Sequence, residues 1–266
     1  MTRNILHIWD TGGVASVLSK YLVKKYPVKS TVVSISRLDP FNITTFYGGQ
    51  HYPSSTLTTI RFIMKGYSCD IIHVHSAYRF VRYFKRLTPN KAVIMHFHGE
   101  DVRLTGWNNL KGITEKADIT LVSTPDLLEG APQNVFWLPN PVDIEHFKPM
   151  PSLRKAGTAL YFVKHQRGEN IVWPKNVAKN LGLELCVVDR KANPISYAKL
   201  PHFLNTFEYY IDQNWIHSLS KTALEALACG LKVVKWDSRV IEKLPEEHNP
   251  IRVIEKLWAF YQQAIG

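Results

Sequence analysis

The chain has 266 residues, 45% hydrophobic and 21% charged, with 33 basic against 22 acidic side chains and a net charge of +11. That length and balance fit one large or two compact globular domains and exclude a disordered or fibrous chain. No apolar run approaches the ~18–20 residues that a membrane-crossing helix needs. The basic charge is spread over both halves, so it marks a folded surface that attracts anions rather than a basic arm.

The N-terminus enters a strand-like run directly, without the apolar stretch and small-residue cleavage site of a signal peptide. Cys69, Cys186 and Cys229 stand at unrelated spacings, which argues against a disulfide framework or zinc ribbon. A reducing, cytoplasmic setting is expected.

The first half alternates short apolar runs with helical patterns. Asn4–Ile8 reads as a strand, then Thr-Gly-Gly, then a helix from Val14 to about Tyr26. Ser30–Ser36 is a strand, followed by a loop rich in Gly, Thr and Tyr and a helix near Leu57–Lys65. Next come Asp70–Val74, a helix near Ala77–Leu87, Ala92–Phe97, a helix near Leu110–Lys116, Asp118–Ser123 and Asn134–Pro139. Short β-branched runs alternating with helices predict βαβ units and a parallel sheet covered on both faces.

Prolines 139, 141, 149 and 151 favour an extended connection, and a domain break is expected at 148/149. A second alternation follows: Ala159–Val163, a helix near Asn170–Leu181, Glu184–Val188, Phe207–Ile211, a helix ending at Gly230, and Lys232–Trp236. Ile251–Ala264 is an amphipathic helix. The fold class is α/β with two doubly wound domains, 1–148 and a smaller 149–250.

Open parallel sheets bind ligands beyond the carboxyl ends of their strands. Gly12 and Gly13 lie at such a place and let backbone approach a ligand closely; the plain alternative is a tight turn. The pattern is not GxGxxG, so no dinucleotide fingerprint is present. His73/His75 and His96/His98 each share a strand face. With Asp101 they are candidates for a metal site, for substrate contacts, or for ordinary core histidines. Lys164 and Arg167 follow a strand and suit phosphate recognition, or are surface charges. Ser218 and Ser220 are N-cap candidates beside Glu225. Thr222-Ala-Leu-Glu225 fits a capping box; alternatively Glu225 accepts hydrogen bonds from vicinal hydroxyls such as a ribose. Tyr78–Leu87 places Phe80, Tyr83, Phe84 and Leu87 on one stripe, and Arg79, Arg82, Lys85 and Arg86 on a basic face suited to acidic lipid or to solvent.

Phe207–Val234, above all Leu224-Glu-Ala-Leu-Ala-Cys-Gly-Leu-Lys-Val-Val234, resembles the donor-site signature of family 4 (group 1) glycosyltransferases of GT-B fold. Leu138–Pro149 resembles that family's linker, and the Gly-Gly loop and His98 fall in the matching order. The resemblance implies two Rossmann-like domains facing a cleft, the second reduced, with the final helix 251–266 returning to the first. It implies a retaining, metal-independent transfer from a nucleoside diphosphate sugar, with no cofactor. The diphosphate would rest on Ser218, Leu219, Ser220 and Lys221, the ribose on Glu225, and the leaving charge on Lys164 and Arg167. His98 would meet the donor sugar, and Gly12 and Gly13 would close over it. Asp101 joins His98 as a catalytic candidate. The family pairs two glutamates; His217 stands at the first position here, which leaves the sugar open and makes His217 the third catalytic candidate.

The expected function is sugar transfer from a UDP or GDP type donor to a glycan or lipid-linked acceptor, peripheral to an acidic membrane surface. The alternatives are a degenerate nucleotide-sugar-binding protein and a metal-dependent hydrolase built on the His-x-His strands. A nucleic-acid binder ranks last, since no RRM, KH or helix-turn-helix signature is present.

Overall fold

A computed structural model describes residues 2–163 and 171–266, so Lys164 and Arg167 lie outside the described residues. The chain divides into two compact units, 1–141 with 250–266, and 142–249.

The first unit runs β1 (Arg3–Ile8), α1 (Val14–Lys25), β2 (Val28–Ile35), α2 (Ile43–Phe46), β3 (Gln50–Tyr52), α3 (Thr56–Tyr67), β4 (Ile71–His75), α4 (Arg79–Leu87), β5 (Ala92–Phe97), α5 (Glu100–Thr105), α6 (Trp107–Thr114), β6 (Ile119–Val122) and β7 (Val135–Trp137). Its seven strands are parallel, in the order β3-β2-β1-β4-β5-β6-β7. The order reverses between β1 and β4, which makes their carboxyl ends the switch point of the sheet.

Strand alternation explains the two cores. Leu6, Ile8, Ile72, Val74, Val93 and Met95 pack on one face. Ile5, Ile71, Ile94 and Leu121 face the other way, toward Val17, Leu18 and Leu22 of α1. These strands read as nearly continuous apolar runs because both faces are covered.

The second unit runs β8 (Lys155–Val163), α7 (Val172–Asn180), β9 (Glu184–Asp189), α8 (Leu200–Leu204), β10 (Phe207–Ile211), α9 (Lys221–Ala228), β11 (Lys232–Val234) and β12 (Val240–Ile241). Among the described residues the sheet order is β12-β11-β10-β8-β9, parallel except for β12. Helix α10 (Pro250–Ile265) then returns to the first unit, where Val253, Ile254, Leu257 and Tyr261 complete the α1-side core.

Two expectations need correction. The break lies at 141/142, not 148/149, because the proline segment folds with the second unit. Val142 N donates to His248 O at 3.2 Å, Asn205 Nδ2 to Lys148 O at 3.0 Å, and Met150 N to Asn205 Oδ1 at 2.6 Å. On α4 the buried side chains are Val81 and Phe84, while Tyr83 and Leu87 are exposed. Phe80 and Phe84 of the predicted stripe do pack on the core, but the helix also meets α3 and α6, and Val81 takes the buried place expected of Tyr83 and Leu87.

Candidate functional site

In the first unit a cleft of about 460 Å³ opens at the switch point, lined by Trp9, Asp10, Thr11, Gly12, Leu38, Ser76, His98, Glu100 and Asp101. It draws on the ends of β1, β4 and β5. Trp9 at the end of β1 has φ +67° and Ser76 at the end of β4 has φ +57°. A bulky residue in the left-handed region is strained by about 1–3 kcal/mol, and such strain clusters at functional sites.

Gly12 and Gly13 have φ of +60° and +77° and lead into α1. A Cβ on Gly13 would lie 2.5 Å from Ile43 Cγ2, whereas one on Gly12 would meet nothing. Gly13→Ala should therefore cost about 2–4 kcal/mol, from left-handed strain plus overpacking, and more than Gly12→Ala. Urea unfolding of the two variants checks this, and equal losses would contradict it.

Asp10, buried just ahead of the glycines, organises the turn. Its carboxylate accepts from Ser16 N at 3.1 Å, Ser16 Oγ at 2.5 Å and Thr44 Oγ1 at 3.0 Å. Burial pushes its pKa up, against those hydrogen bonds. Sequence reasoning passed over Asp10. The signal was present: a carboxylate between a strand end and a Gly-Gly turn.

Asp101 is held mainly by backbone. Its carboxylate accepts from His98 N at 3.0 Å, Gly99 N at 2.8 Å and Val102 N at 2.9 Å. Its visible work is to fix the turn that presents His98. The His98 ring is itself engaged on both sides, Nδ1 to Ser123 Oγ at 2.6 Å and Nε2 to His75 Nδ1 at 3.0 Å. Burial lowers its pKa to about 4, while the Asp101 charge works the other way. His98 is thus a neutral ring at neutral pH. His73, His75 and His96 are fully buried core residues, joined by His7 of β1. By distance alone, the triples His7/His73/His75 and His75/His96/His98 each suit a metal, with ligand atoms within 4.8 Å of one another.

In the second unit, α9 starts at the carboxyl side of the sheet. Ser220 is its N-cap, accepting from Ala223 N at 3.2 Å, and Ser220 N donates to Asp212 Oδ2 at 2.9 Å. Ser220 is thus the N-cap of the two serines offered, and with it as the cap Glu225 lies too far along α9 for the capping-box alternative. Glu225 is 3% exposed and pairs with Lys221 at 3.1 Å. The Arg190 guanidinium also lies within reach of its charge, although burial depresses the Arg190 pKa. Ser218 is buried, Leu219 half-buried, and His217 exposed with its ring 6.1 Å from that of Trp236. Asp212 is fully buried, and its Oδ1 has no partner among the described residues. The predicted residues brought together here are Ser220, Lys221 and Glu225. Asp212 and Arg190 were missed, because only the sheet order puts the ends of β9 and β10 beside α9.

No protein-family model and no curated protein matches the chain. Among solved structures it is similar to Anabaena HepE in complex with UDP and glucose, with TM-score 0.62 and 12% identity over 99% of this chain and 92% of that one. An α-glucosyltransferase bound to UDP-glucose and DNA follows at TM-score 0.59 and 13% identity, covering 100% and 94%. Sucrose-phosphate synthase from Thermosynechococcus elongatus gives 0.55 and 13%, covering 99% and 91%. The chain has the GT-B fold. At such identities the likeness speaks for architecture, and the GT-B frame leaves the chemistry to be argued from the side chains.

Among the described residues, no helix is long and apolar enough to cross a membrane.

Proposed function

We propose that this GT-B chain is a retaining glycosyltransferase that takes its sugar from a nucleoside diphosphate donor of UDP or GDP type. The observation that carries the reading is Glu225, a carboxylate buried on α9 and clamped between Lys221 and the neighbourhood of Arg190. Burying a carboxylate is costly unless cations accompany it, and Lys221 at 3.1 Å supplies one here, so the pair is a charged group held ready inside the unit. An acceptor for ribose hydroxyls flanked by cations for a diphosphate is a use for such a group. The structural neighbours with UDP or UDP-glucose support it. Ser218, Leu219, Ser220 and Lys221 are assigned to the diphosphate, as are Lys164 and Arg167. In the first unit, His98 and Asp101 are assigned to the donor sugar and Gly12 and Gly13 to closure over it. His217 takes the sugar-side position on the donor unit.

A thermal-shift panel of UDP, GDP, ADP and dTDP, with their sugar conjugates, tests the donor site. A ligand at about 100 Kd adds about 2.7 kcal/mol of stability. One nucleotide should raise the Tm of the wild type and leave Glu225→Gln unmoved. An equal shift in both proteins, or none in either, would sink the assignment. Turnover of the stabilising donor then separates a transferase from a protein that only binds it. The acceptor panel includes duplex DNA, because the chain carries +11 and an α-glucosyltransferase among its structural neighbours is in complex with DNA.

We assign the acceptor to a glycan or lipid-linked glycan at an acidic membrane. Arg79, Arg82 and Arg86 are exposed on α4, although Lys85 is tied to Asp118 at 2.7 Å. The neighbouring α3 exposes Leu57, Ile60, Met64 and Tyr67 along one stripe. Apolar side chains beside arginines suit a surface helix on anionic lipid. Co-sedimentation with phosphatidylserine vesicles should be strong at low salt and fall about tenfold in Leu57→Ser/Met64→Ser. Equal binding to neutral vesicles would contradict this.

A further inference from the structure

Five histidines cross the sheet face beneath α1 and α10. His7 of β1 pairs in register with His73 of β4, and His75 with His96 of β5. His7, His73, His75 and His96 are all 0% exposed, at positions that parallel sheets usually fill with aliphatic side chains. Their polar atoms form a chain. His7 Nδ1 lies 3.0 Å from His75 Nε2, and His75 Nδ1 lies 3.0 Å from His98 Nε2. His98 Nδ1 is 2.6 Å from Ser123 Oγ, which is 3.1 Å from His96 Nε2. His73 stands beside this chain, with Nδ1 2.7 Å from Tyr261 Oη of α10.

A neutral imidazole has one N–H and one lone pair. A ring bonded on both sides must therefore donate on one and accept on the other. If His7 donates from Nδ1 to His75, then His75 donates from Nδ1 to His98, and His98 from Nδ1 to Ser123. Ser123 then donates to Nε2 of His96, so all four rings carry their proton on Nδ1. Running the bonds the other way puts the proton on Nε2 of all four. A mixed arrangement at Ser123, which is 1% exposed, would strand either its hydroxyl proton or a ring lone pair.

We propose that His7, His75, His98, Ser123 and His96 form a hydrogen-bonded wire that holds its four imidazoles in one shared tautomer, and that His7, His75 and Ser123 are positioning residues fixing the proton and plane of the His98 ring at the cleft. The role at His98 rests on the transferase reading; the wire does not. A metal is the competing occupant. It would have to break the wire at His75, which both metal-suited triples share. It would also place a dication among neutral rings in a dry site, a costly burial. The other titratable groups facing His98 are Asp101 and Glu100 of α5 and Asp10 at the end of β1, all lining the same cleft.

The test has two arms. In ¹⁵N-histidine protein at pH 7, long-range ¹⁵N–¹H spectra should show His7, His75, His96 and His98 neutral and in one tautomer, unmoved by one equivalent of Zn²⁺. Different tautomers among them, or their displacement by zinc, would overturn the wire. In the second arm, Ser123→Ala should shift the acidic limb of the donor-turnover pH profile by ~1 unit, up if the first arm finds the Nε2 tautomer (Ser123 donating to His98) and down if it finds the Nδ1 tautomer (Ser123 accepting from it), and Ser123→Thr should restore it. An unchanged Ser123→Ala profile would overturn the positioning role. A shared tautomer in a wild type that turns over no donor would sink the transferase reading and leave the wire standing.

Discussion

Acidification from pH 7.5 to pH 5 should strip several kcal/mol of stability from the protein. Burial lowers the pKa of His7 to about 3 and of His98 to about 4, and moves His73, His75 and His96 in the same direction. The unfolded chain takes up protons at these sites near pH 6.5, whereas the folded chain resists until far lower. Between those values the unfolded state holds more protons, so stability rises with pH. The contribution is fully present above pH 6.5 and is lost as pH falls toward the folded-state values. At pH 5, His7 and His98 each account for about 2 kcal/mol, at about 1.4 kcal/mol per unit. Asp10 works against this, because its raised pKa lets the folded state take up a proton first. One carboxylate does not offset five imidazoles in this window. Urea midpoints at pH 7.5, 6 and 5 would check it. A flat profile would mean that the histidines are hydrated, and it would remove the physical basis of the shared tautomer as well.

Asp10→Ala should cost about 3–5 kcal/mol. The substitution leaves three donors without their acceptor: Ser16 N, Ser16 Oγ and Thr44 Oγ1. Ser16 and Thr44 are each 1% exposed, so water cannot replace the carboxylate, and each orphaned donor costs about 1–3 kcal/mol. Asp10→Asn should retain most of the stability, because it keeps one acceptor oxygen and the hydroxyls can rotate to accept from the amide. The measurement is chemical denaturation of both variants at pH 7.5. A loss under about 1 kcal/mol in Asp10→Ala would show that the turn carries itself through Gly12 and Gly13. Because Asp10 also lines the cleft, the Asn variant is the one to carry into donor-binding assays.

Alternation of β-branched runs with helices made the parallel sheets legible, and Gly12-Gly13 marked a tight turn whose left-handed φ values only the structure shows. The histidines were half legible. Two His-x-His runs showed that imidazoles share a face, but His7 joined them only through the register of β1 on β4, which no local pattern encodes. Ser123 is as ordinary in sequence as any serine at a strand end. Thr222-Ala-Leu-Glu225 is a sound capping-box pattern that lost to Ser220, because the Asp212 carboxylate takes Ser220 N and sets the helix start there. Residues β12 and α8 occupy were illegible because two to five residues carry no measurable period. The stripe on α4 was half legible: Phe80 and Phe84 do pack on the core, but Val81 replaces Tyr83 and Leu87 there, because β5, α3 and α6 together surround the helix.

The return of α10 has a consequence for synthesis of the chain. The α1 side of the first sheet is covered in part by Val253, Ile254, Leu257 and Tyr261, each no more than 1% exposed once folded. A ribosome delivers those residues only after the whole of 142–249 has emerged. Until then the apolar face of α1 and the histidine row lie open, while the second unit is contiguous in sequence and all its described strands have been delivered. Native pairing of His73 with Tyr261 spans 188 positions, among the slowest kinds of contact to form. The nascent first unit therefore keeps apolar surface open for longer than the second, and its completion is timed by α10 rather than by its own strands.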